Sequence, residues 1–145
     1  MSQTTVAAAT IPEGFSRHYR QSPLTDPWEP LFSRRTEEGV EIGLVAAPAH
    51  ANSRGFVHGG LIAALADNAM GLSCGLKIDG AAGLVTVNLA IDYLGTATVG
   101  QWLKITPEVV KAGTNLCFAQ AIVTADGRPC ARANATFKVV GRSAA

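Results

Sequence analysis

The most informative residue is a carboxylate in the middle of an apolar segment. The run from Leu61 to Gly75 is rich in helix-forming residues and contains one charged side chain, Asp67. It therefore predicts a buried helix that carries a single acid. Burying a carboxylate without a partner costs several kcal/mol or forces it to take up a proton. Asp67 has either a structural role, in a hydrogen bond or an interface ion pair, or a chemical role on water or substrate.

Two glycines stand where this helix is predicted to begin. The first N–H groups of a helix have no acceptor within it, and Gly59 and Gly60 have no side chains to keep a ligand oxygen away. The helix start is therefore suited to stabilise negative charge that develops on a carbonyl oxygen. Together with Asp67, the glycine pair favours a chemical role for the carboxylate.

The spacing of these residues predicts a dimer. Gly59 and Asp67 are eight residues apart, which corresponds on an α-helix to a rise of about 12 Å and a rotation of roughly 80°. One aspartate side chain cannot bridge that distance. If both groups serve one reaction, they must come from two copies of the chain whose helices run antiparallel, and a symmetric homodimer forms two such shared sites.

The residues around the helix start resemble a known family. The likeness extends from about residue 14 to residue 140 and includes the segments Pro48-x-His50-x-Asn52 and Leu84-Val85-Thr86-Val87-Asn88-Leu89. Its centre is the pattern Asn52-x-x-Gly55-x-Val57-His58-Gly59-Gly60, followed by Leu65-x-Asp67. This pattern is similar to that of the hotdog-fold acyl-CoA thioesterases of the phenylacetic-acid-degradation (PaaI-like) type, the type of thioesterase-superfamily member 2.

The resemblance implies roles for five residues in thioester hydrolysis. Asn52 and His58 position the thioester carbonyl, the N–H of Gly59 contacts the carbonyl oxygen, Thr86 holds the attacking water, and Asp67 acts as general base or as nucleophile. Each has an ordinary alternative. Asn52 and His58 suit a turn and a helix cap, Gly59 allows close packing, and a β-branched threonine is common in a strand.

The resemblance also implies where an acyl-CoA substrate lies. Three cations are candidates for the coenzyme A phosphates, namely Lys111, Arg128 and Lys138, although exposed cations at strand ends are often only solvated charges. The acyl group is expected along the dimer seam beside the helix start, near Gly60, Leu61, Leu65 and either Phe15 or Trp28. His18 and His50 are interpreted as polar surface groups without a catalytic role.

Length and composition predict a single domain over residues 1–145, with a flexible tail over residues 1–10. The net charge is +1 and the pI is about 7.8, so nothing favours nucleic acid or an anionic membrane surface. No apolar stretch reaches the roughly 20 residues of a membrane span, and residues 1–10 lack the order of a signal peptide. A cytoplasmic location is expected.

The three cysteines do not indicate a metal site or a disulfide framework. Cys74, Cys117 and Cys130 are odd in number and widely spaced, without a Cys-x-x-Cys or Cys/His ligand pattern. They are interpreted as small buried residues. The proposed chemistry needs no metal and no cofactor.

The chain is predicted to have an α+β fold in which an antiparallel sheet wraps around one long central helix, which coincides with the hotdog fold. Hydrophobic alternation predicts one strand before the helix, over 38–46, and a meander of four after it. Those four are predicted over 84–94, 102–110, 116–125 and 128–140. Asp126-Gly127 predicts a hairpin turn between the last two strands. Four prolines within residues 12–30 indicate irregular structure there.

Two other functions fit the same resemblance. A hotdog protein that binds acyl-CoA without hydrolysing it has no use for a carboxylate beside the carbonyl. A hotdog hydratase of enoyl thioesters relies on a histidine and an aspartate in a different arrangement, whereas Asp67 here follows His58 on a helix. Thioesterase activity is therefore favoured, in a homodimer that is expected to pair into a dimer of dimers. Neither the acyl-group preference nor the mode of action of Asp67 is predicted.

Overall fold

A computed structural model describes residues 11–80 and 83–141 as one helix and one antiparallel sheet. The predicted tail over residues 1–10 lies outside the described residues. The helix α1 spans Gly59–Leu76. The strands are β1 Ser16–Arg17, β2 Phe32–Arg35, β3 Val40–Val45, β4 Gly83–Tyr93, β5 Trp102–Ala112, β6 Leu116–Ala125 and β7 Arg128–Val140. Short 3-10 helices occupy Asp26–Trp28 and Pro48–His50. The predicted α+β layout is confirmed.

The helix α1 is the centre of the hydrophobic core. Its sequence is rich in alanine and leucine, which favour helix, and it contacts five strands, β3 to β7. By length and hydropathy α1 would also qualify as a membrane span, but a core helix meets the same criteria. Its buried residues are Leu61, Ile62, Leu65, Ala66, Ala69, Met70, Ser73 and Cys74.

The strand β4 lies at one edge of the sheet. The strand order is β1-β2-β3-β5-β6-β7-β4, so β4 pairs with β7 and not with β5, and the predicted four-strand meander is wrong. The loop over 94–101 carries the chain from one edge of the sheet to the position beside β3. Sequence order does not determine this pairing, because β4 to β7 are all apolar-rich strands that could pair with one another.

The first part of the sheet is more extensive than predicted. Instead of a single strand over 38–46, β2 and β3 form a hairpin, closed where the N–H of Thr36 donates to the carbonyl of Gly39 at 2.8 Å. Within the segment predicted to be irregular, Ser16 and Arg17 pair with β2. The prolines lie outside this short strand, so they do not interrupt its hydrogen bonds.

Candidate active site

Asp67 on α1 is hydrogen-bonded to Thr86 on β4. The Thr86 hydroxyl donates to Oδ1 of Asp67 at 2.6 Å. Within the single chain Asp67 is half-buried and Thr86 is exposed, so the carboxylate predicted to be buried is partly open to water. Because the Thr86 hydroxyl donates its proton in this hydrogen bond, the lone pairs on the Thr86 oxygen remain available to accept from a water molecule. A water bound there would lie beside the carboxylate.

The start of α1 leaves one N–H without an acceptor. His58 is the N-cap, and its Nδ1 accepts from the N–H of Gly60 at 2.8 Å. The next two N–H groups, of Leu61 and Ile62, donate to the carbonyl of His58. Among the described residues, the N–H of Gly59 has no acceptor. The capping role considered for His58 is therefore present, and it leaves the Gly59 N–H available to a ligand oxygen.

Tyr93 on β4 holds the same helix start from the other side. Its hydroxyl donates to the carbonyl of Gly59 at 2.5 Å. Burial raises the pKa of Tyr93, which keeps the hydroxyl protonated. A Cβ on Gly59 would lie 3.1 Å from Cζ and Oη of Tyr93, so a side chain at this position would crowd the tyrosine ring. Sequence reasoning missed Tyr93, because nothing in the sequence around it indicates a contact with residue 59.

Asn52 closes the loop that precedes α1. Its Oδ1 accepts from the N–H groups of Arg54 at 2.9 Å and Phe56 at 3.2 Å, the loop-closing geometry expected of an asparagine in a turn. The loop is fixed to the rest of the molecule by the N–H of Val57, which donates to Ala97 at 2.8 Å. The Asn52 side chain is exposed. Its oxygen therefore serves the loop, while its amide N–H groups can face a substrate.

His50 supports this loop from inside. It is 4% exposed, its Nδ1 accepts from the N–H of Ala47 at 2.9 Å, and its Nε2 lies 2.8 Å from the carbonyl oxygen of Trp28. Its own carbonyl accepts from the N–H of His58. The interpretation of His50 and His18 as surface groups is wrong, since both are buried. Their burial depends on segments distant in the sequence.

The structure assembles two half-sites rather than one complete site. Asp67 and Thr86 form the first, and Gly59, His58 and Tyr93 form the second. Both halves connect α1 to β4, and a continuous helix separates Gly59 from Asp67 by about 12 Å. Within one chain, the Gly59 N–H and the Asp67 carboxylate therefore do not meet.

The residues predicted to bind substrate are dispersed. Gly60 donates its N–H to His58, and Leu61 is 3% exposed in the core. Lys138 lies near the end of β7, whereas Arg128 begins it, ten residues away, or roughly 33 Å along a strand. Lys111 lies on β5 at the Lys138 end of the sheet. The three cations are exposed and do not form one cluster.

The aromatic residues suggested for the acyl group have other neighbours. Phe15 packs edge-on against Trp102, with ring centroids 5.1 Å apart, and against the Arg34 guanidinium. Trp28 packs on the core, and Leu65 is fully buried. A cavity of about 540 Å³ lies instead beside the Asp67–Thr86 pair, between α1, the first residues of β4 and side chains from His18 to Thr25.

The described ranges, 11–80 and 83–141, contain no cluster of three His, Cys, Asp or Glu side chains that could hold a metal. The three cysteines are free and buried. Burial raises the pKa of the Cys74 and Cys130 thiols, which makes them poor nucleophiles.

Comparison with known proteins gives consistent matches. The model of the thioesterase superfamily matches residues 54–131. A Pseudomonas aeruginosa protein provisionally named an esterase is 35% identical over 128 residues, which cover 88% of this chain and 96% of that protein. Mouse acyl-coenzyme A thioesterase 13 is 39% identical over 77 residues, which cover 52% of this chain and 53% of that protein.

The fold also matches solved structures. A Streptococcus pneumoniae protein described as a hypothetical thioesterase, solved with coenzyme A, superposes with a TM-score of 0.72 at 25% identity. The superposition covers 81% of this chain and 94% of that chain. The residues that the superfamily model matches, 54–131, include α1 and the strands β4, β5 and β6.

Proposed function

Because this chain belongs to the thioesterase superfamily, we propose that it hydrolyses an acyl-CoA thioester to a free acid and coenzyme A. Membership of the superfamily confirms the resemblance seen in the sequence, and the hotdog fold with it. The observation that carries the proposal is the Asp67–Thr86 hydrogen bond at 2.6 Å. The coenzyme A bound by the Streptococcus pneumoniae protein supports the substrate class.

The Asp67 carboxylate either activates the attacking water or attacks the thioester itself. In the first route, Thr86 accepts a hydrogen bond from a water molecule and Asp67 removes its proton as the water oxygen attacks the thioester carbonyl. The C–S bond then breaks and the coenzyme A thiolate takes up a proton. In the second route, Asp67 attacks directly, releases the thiolate and forms a mixed anhydride that water hydrolyses. Both routes use the same half-site.

The other half-site stabilises the carbonyl oxygen. As negative charge develops on this oxygen, the N–H of Gly59 and the side-chain amide of Asn52 donate to it. His58 keeps the helix start in place by accepting from Gly60. The Tyr93 hydroxyl does the same through the Gly59 carbonyl. This arrangement is rigid before substrate binds, which is what stabilisation of a transition state requires.

A symmetric dimer would complete the site. The edge strand β4 carries exposed apolar side chains, including Val85 at 51% and Val87 at 55% exposure, and an exposed apolar edge favours pairing with another strand. Thr86 and Tyr93 lie seven residues apart on this strand. If two β4 strands pair antiparallel about a two-fold axis that passes between Leu89 and Ala90, Thr86 lies beside Tyr93 of the partner subunit. Each Asp67 half-site then faces a Gly59 half-site.

Two further expectations belong to the same proposal. The dimer is expected to pair into a dimer of dimers, and the enzyme is expected to work in the cytoplasm. Neither the chemistry nor the shared site depends on them. Size-exclusion chromatography with light scattering measures the first, and fractionation of the source cells measures the second.

Thiol release from acyl-CoA tests the proposed activity. We expect release from at least one member of a panel of aryl-acetyl, short, medium and long acyl-CoAs. The variant Asp67→Asn is expected to lower kcat on the order of 10²-fold or more, since the amide keeps the shape but is neither base nor nucleophile. It should still bind the substrate.

The control for Asp67→Asn is Asp92→Asn. Asp92 is also an aspartate, and it lies on β4. Its side chain is exposed and pairs with Arg132 at 2.8 Å on the outer surface. Its loss should leave kcat unchanged. If no acyl-CoA releases thiol, the proposed function is rejected. If the kcat of Asp67→Asn is within a few-fold of that of the parent enzyme, the proposed mechanism is rejected.

A further inference from the structure

The cavity beside Asp67 and Thr86 is the space available to the acyl group. It has a volume of about 540 Å³, and the Asp67–Thr86 pair forms part of its wall. If Asp67 acts on the thioester carbonyl, the acyl group attached to that carbonyl must occupy a neighbouring space. Which acyl group fits this cavity is therefore a question that rests on the proposed function.

One wall is a face of α1 that glycines keep open. Gly71 and Gly75 lie one and two turns beyond Asp67 on the same face. Glycine within a helix is destabilising relative to alanine. A Cβ on Gly75 would meet no atom within 4 Å, and one on Gly71 would lie 3.3 Å from the Phe137 ring. The open space, with Leu72 and Phe137 beside it, suits an apolar stem.

The segment from His18 to Thr25 forms another part of the wall and carries hydrogen-bond donors. His18 is 6% exposed, and among the described residues its Nδ1 is the buried side-chain atom without a hydrogen-bond partner. Burial lowers the pKa of His18, against an opposing effect of Glu29 and with a smaller lowering effect of Arg20, so the ring is neutral near pH 7. An unpaired lone pair on Nδ1 costs less than an unpaired N–H, which assigns the proton to Nε2.

Arg20 adds a positive charge to the same wall. It is exposed and lines the cavity, and over residues 11–80 and 83–141 none of the hydrogen bonds or ion pairs involves its side chain. By contrast, the hydroxyls of Ser22 and Thr25, which also line the cavity, are bonded to each other at 3.0 Å. Tyr19 and Asn68 also line the cavity, but among the described residues of its wall Arg20 alone is cationic, and the buried His18 imidazole belongs to the same segment.

From this arrangement we propose that the cavity selects acyl groups that end in a carboxylate, so that the substrate is the coenzyme A monothioester of a dicarboxylic acid. The methylene stem lies along the Gly71–Gly75 face. The terminal carboxylate accepts from Arg20 and His18, because both groups are donors and Arg20 carries the complementary charge. The acid of the same cavity, Asp67, acts on the thioester end.

Binding to Asp67→Asn tests this without turnover. Calorimetry compares adipoyl-CoA with hexanoyl-CoA, and suberoyl-CoA with octanoyl-CoA, so that each pair has the same carbon number. We expect the dicarboxylic member to bind about tenfold more tightly in at least one pair, the effect of one charge-assisted hydrogen bond. Adding Arg20→Gln should remove this preference, and adding His18→Phe should reduce it.

Two controls locate the effect. Arg17→Gln removes a cation from the same segment, but Arg17 pairs with Glu29 at 4.0 Å and is not part of the cavity wall, so the preference should persist. Gly75→Leu fills the open helix face and should weaken binding of both members of a pair, whereas Gly75→Ala should change it little.

Equal affinities within both pairs, or a preference that survives Arg20→Gln, would overturn the inference. So would 6-hydroxyhexanoyl-CoA binding as tightly as adipoyl-CoA, because the charge would then play no part. Selective binding by Asp67→Asn combined with no thiol release by the parent protein would reject the proposed function instead. The two failures are therefore distinguishable.

Discussion

At the scale of single residues, two hydroxyl groups on β4 hold the chemically important parts of α1. Thr86 donates to the Asp67 carboxylate, and Tyr93 donates to the Gly59 carbonyl. The first bond touches the reacting group. The second bond holds the Gly59 carbonyl and thereby orients the unpaired Gly59 N–H. Tyr93 is therefore a positioning residue. A group held in place before the reaction loses no free energy to reorientation in the transition state.

Replacing Tyr93 by phenylalanine tests this positioning role. Tyr93→Phe keeps the ring against Gly59 but removes the hydrogen bond, so the N–H of Gly59 should point less well at the oxyanion. We expect kcat to fall about tenfold with KM nearly unchanged, because the lost interaction is strongest in the transition state. Steady-state kinetics measures both constants. An unchanged kcat, or a higher KM alone, would show that Tyr93 does not act in this way.

At the scale of elements, a buried ion network fixes the sheet on which α1 rests. Glu41 of β3 has a side chain only 4% exposed and accepts from Arg34 of β2 at 2.6 Å. Its second oxygen accepts from the Thr106 hydroxyl of β5 at 3.0 Å, with the Lys104 ammonium 3.7 Å away. Phe15 covers Arg34 at 4.6 Å from its ring centroid. Three strands are thus held together by one carboxylate.

We expect Glu41→Gln to destabilise the protein by about 1 to 3 kcal/mol, since it leaves buried donors without their charged acceptor while Arg34 keeps some contact with water. Urea denaturation measures the loss. The matched comparison is the Asp92–Arg132 pair, whose side chains are 63% and 66% exposed. In that exposed pair, Asp92→Asn should lower the free energy of unfolding by less than about 1 kcal/mol. Equal losses for the two variants would contradict the role assigned to burial.

At the scale of the whole molecule, the free edge of β4 and the separation of the half-sites lead to the same expectation. In the proposed mechanism each chain provides Asn52 and Gly59 for the carbonyl and Asp67 for the attack, and Gly59 and Asp67 of α1 both contact β4, an edge strand with exposed apolar side chains. A monomer would therefore hold two incomplete sites. Activity is expected to depend on protein concentration where dimers dissociate.

Mixing two inactive variants tests whether sites are shared. If Asn52→Ala and Asp67→Asn chains are mixed in equal amounts and exchange freely, half of the dimers contain one chain of each kind. In each of these mixed dimers, one of the two sites is intact. Activity should recover to about a quarter of the wild-type rate. Mass spectrometry of the mixed dimer confirms exchange.

The control for this mixture is a pair of variants in the same half-site. Asn52→Ala and Gly59→Pro chains damage the carbonyl end in both subunits, so every pairing lacks an intact site and no activity should return. Circular dichroism must first show that Gly59→Pro is folded. Exchange without recovery in the Asn52→Ala and Asp67→Asn mixture would reject the shared site.

Features that depend on neighbours along the chain could be predicted from the amino-acid sequence. The helix was predicted over 61–75 and spans Gly59–Leu76, because a long alanine- and leucine-rich run has few alternatives. The turn at Asp126-Gly127 has φ values of 47° and 81°, which glycine adopts without strain and aspartate tolerates. Periodicity likewise located β4 to β7 to within a few residues.

Features that depend on contacts between distant segments could not be predicted from local sequence patterns. These include the pairing of β4 with β7, the burial of His18 and His50, and the Tyr93 contact with Gly59. The cavity wall from His18 to Thr25 is another. No local pattern encodes them, because the partner of each residue lies far away in the sequence. The candidate residues were visible in the chain, but their arrangement in two half-sites is a property of the fold.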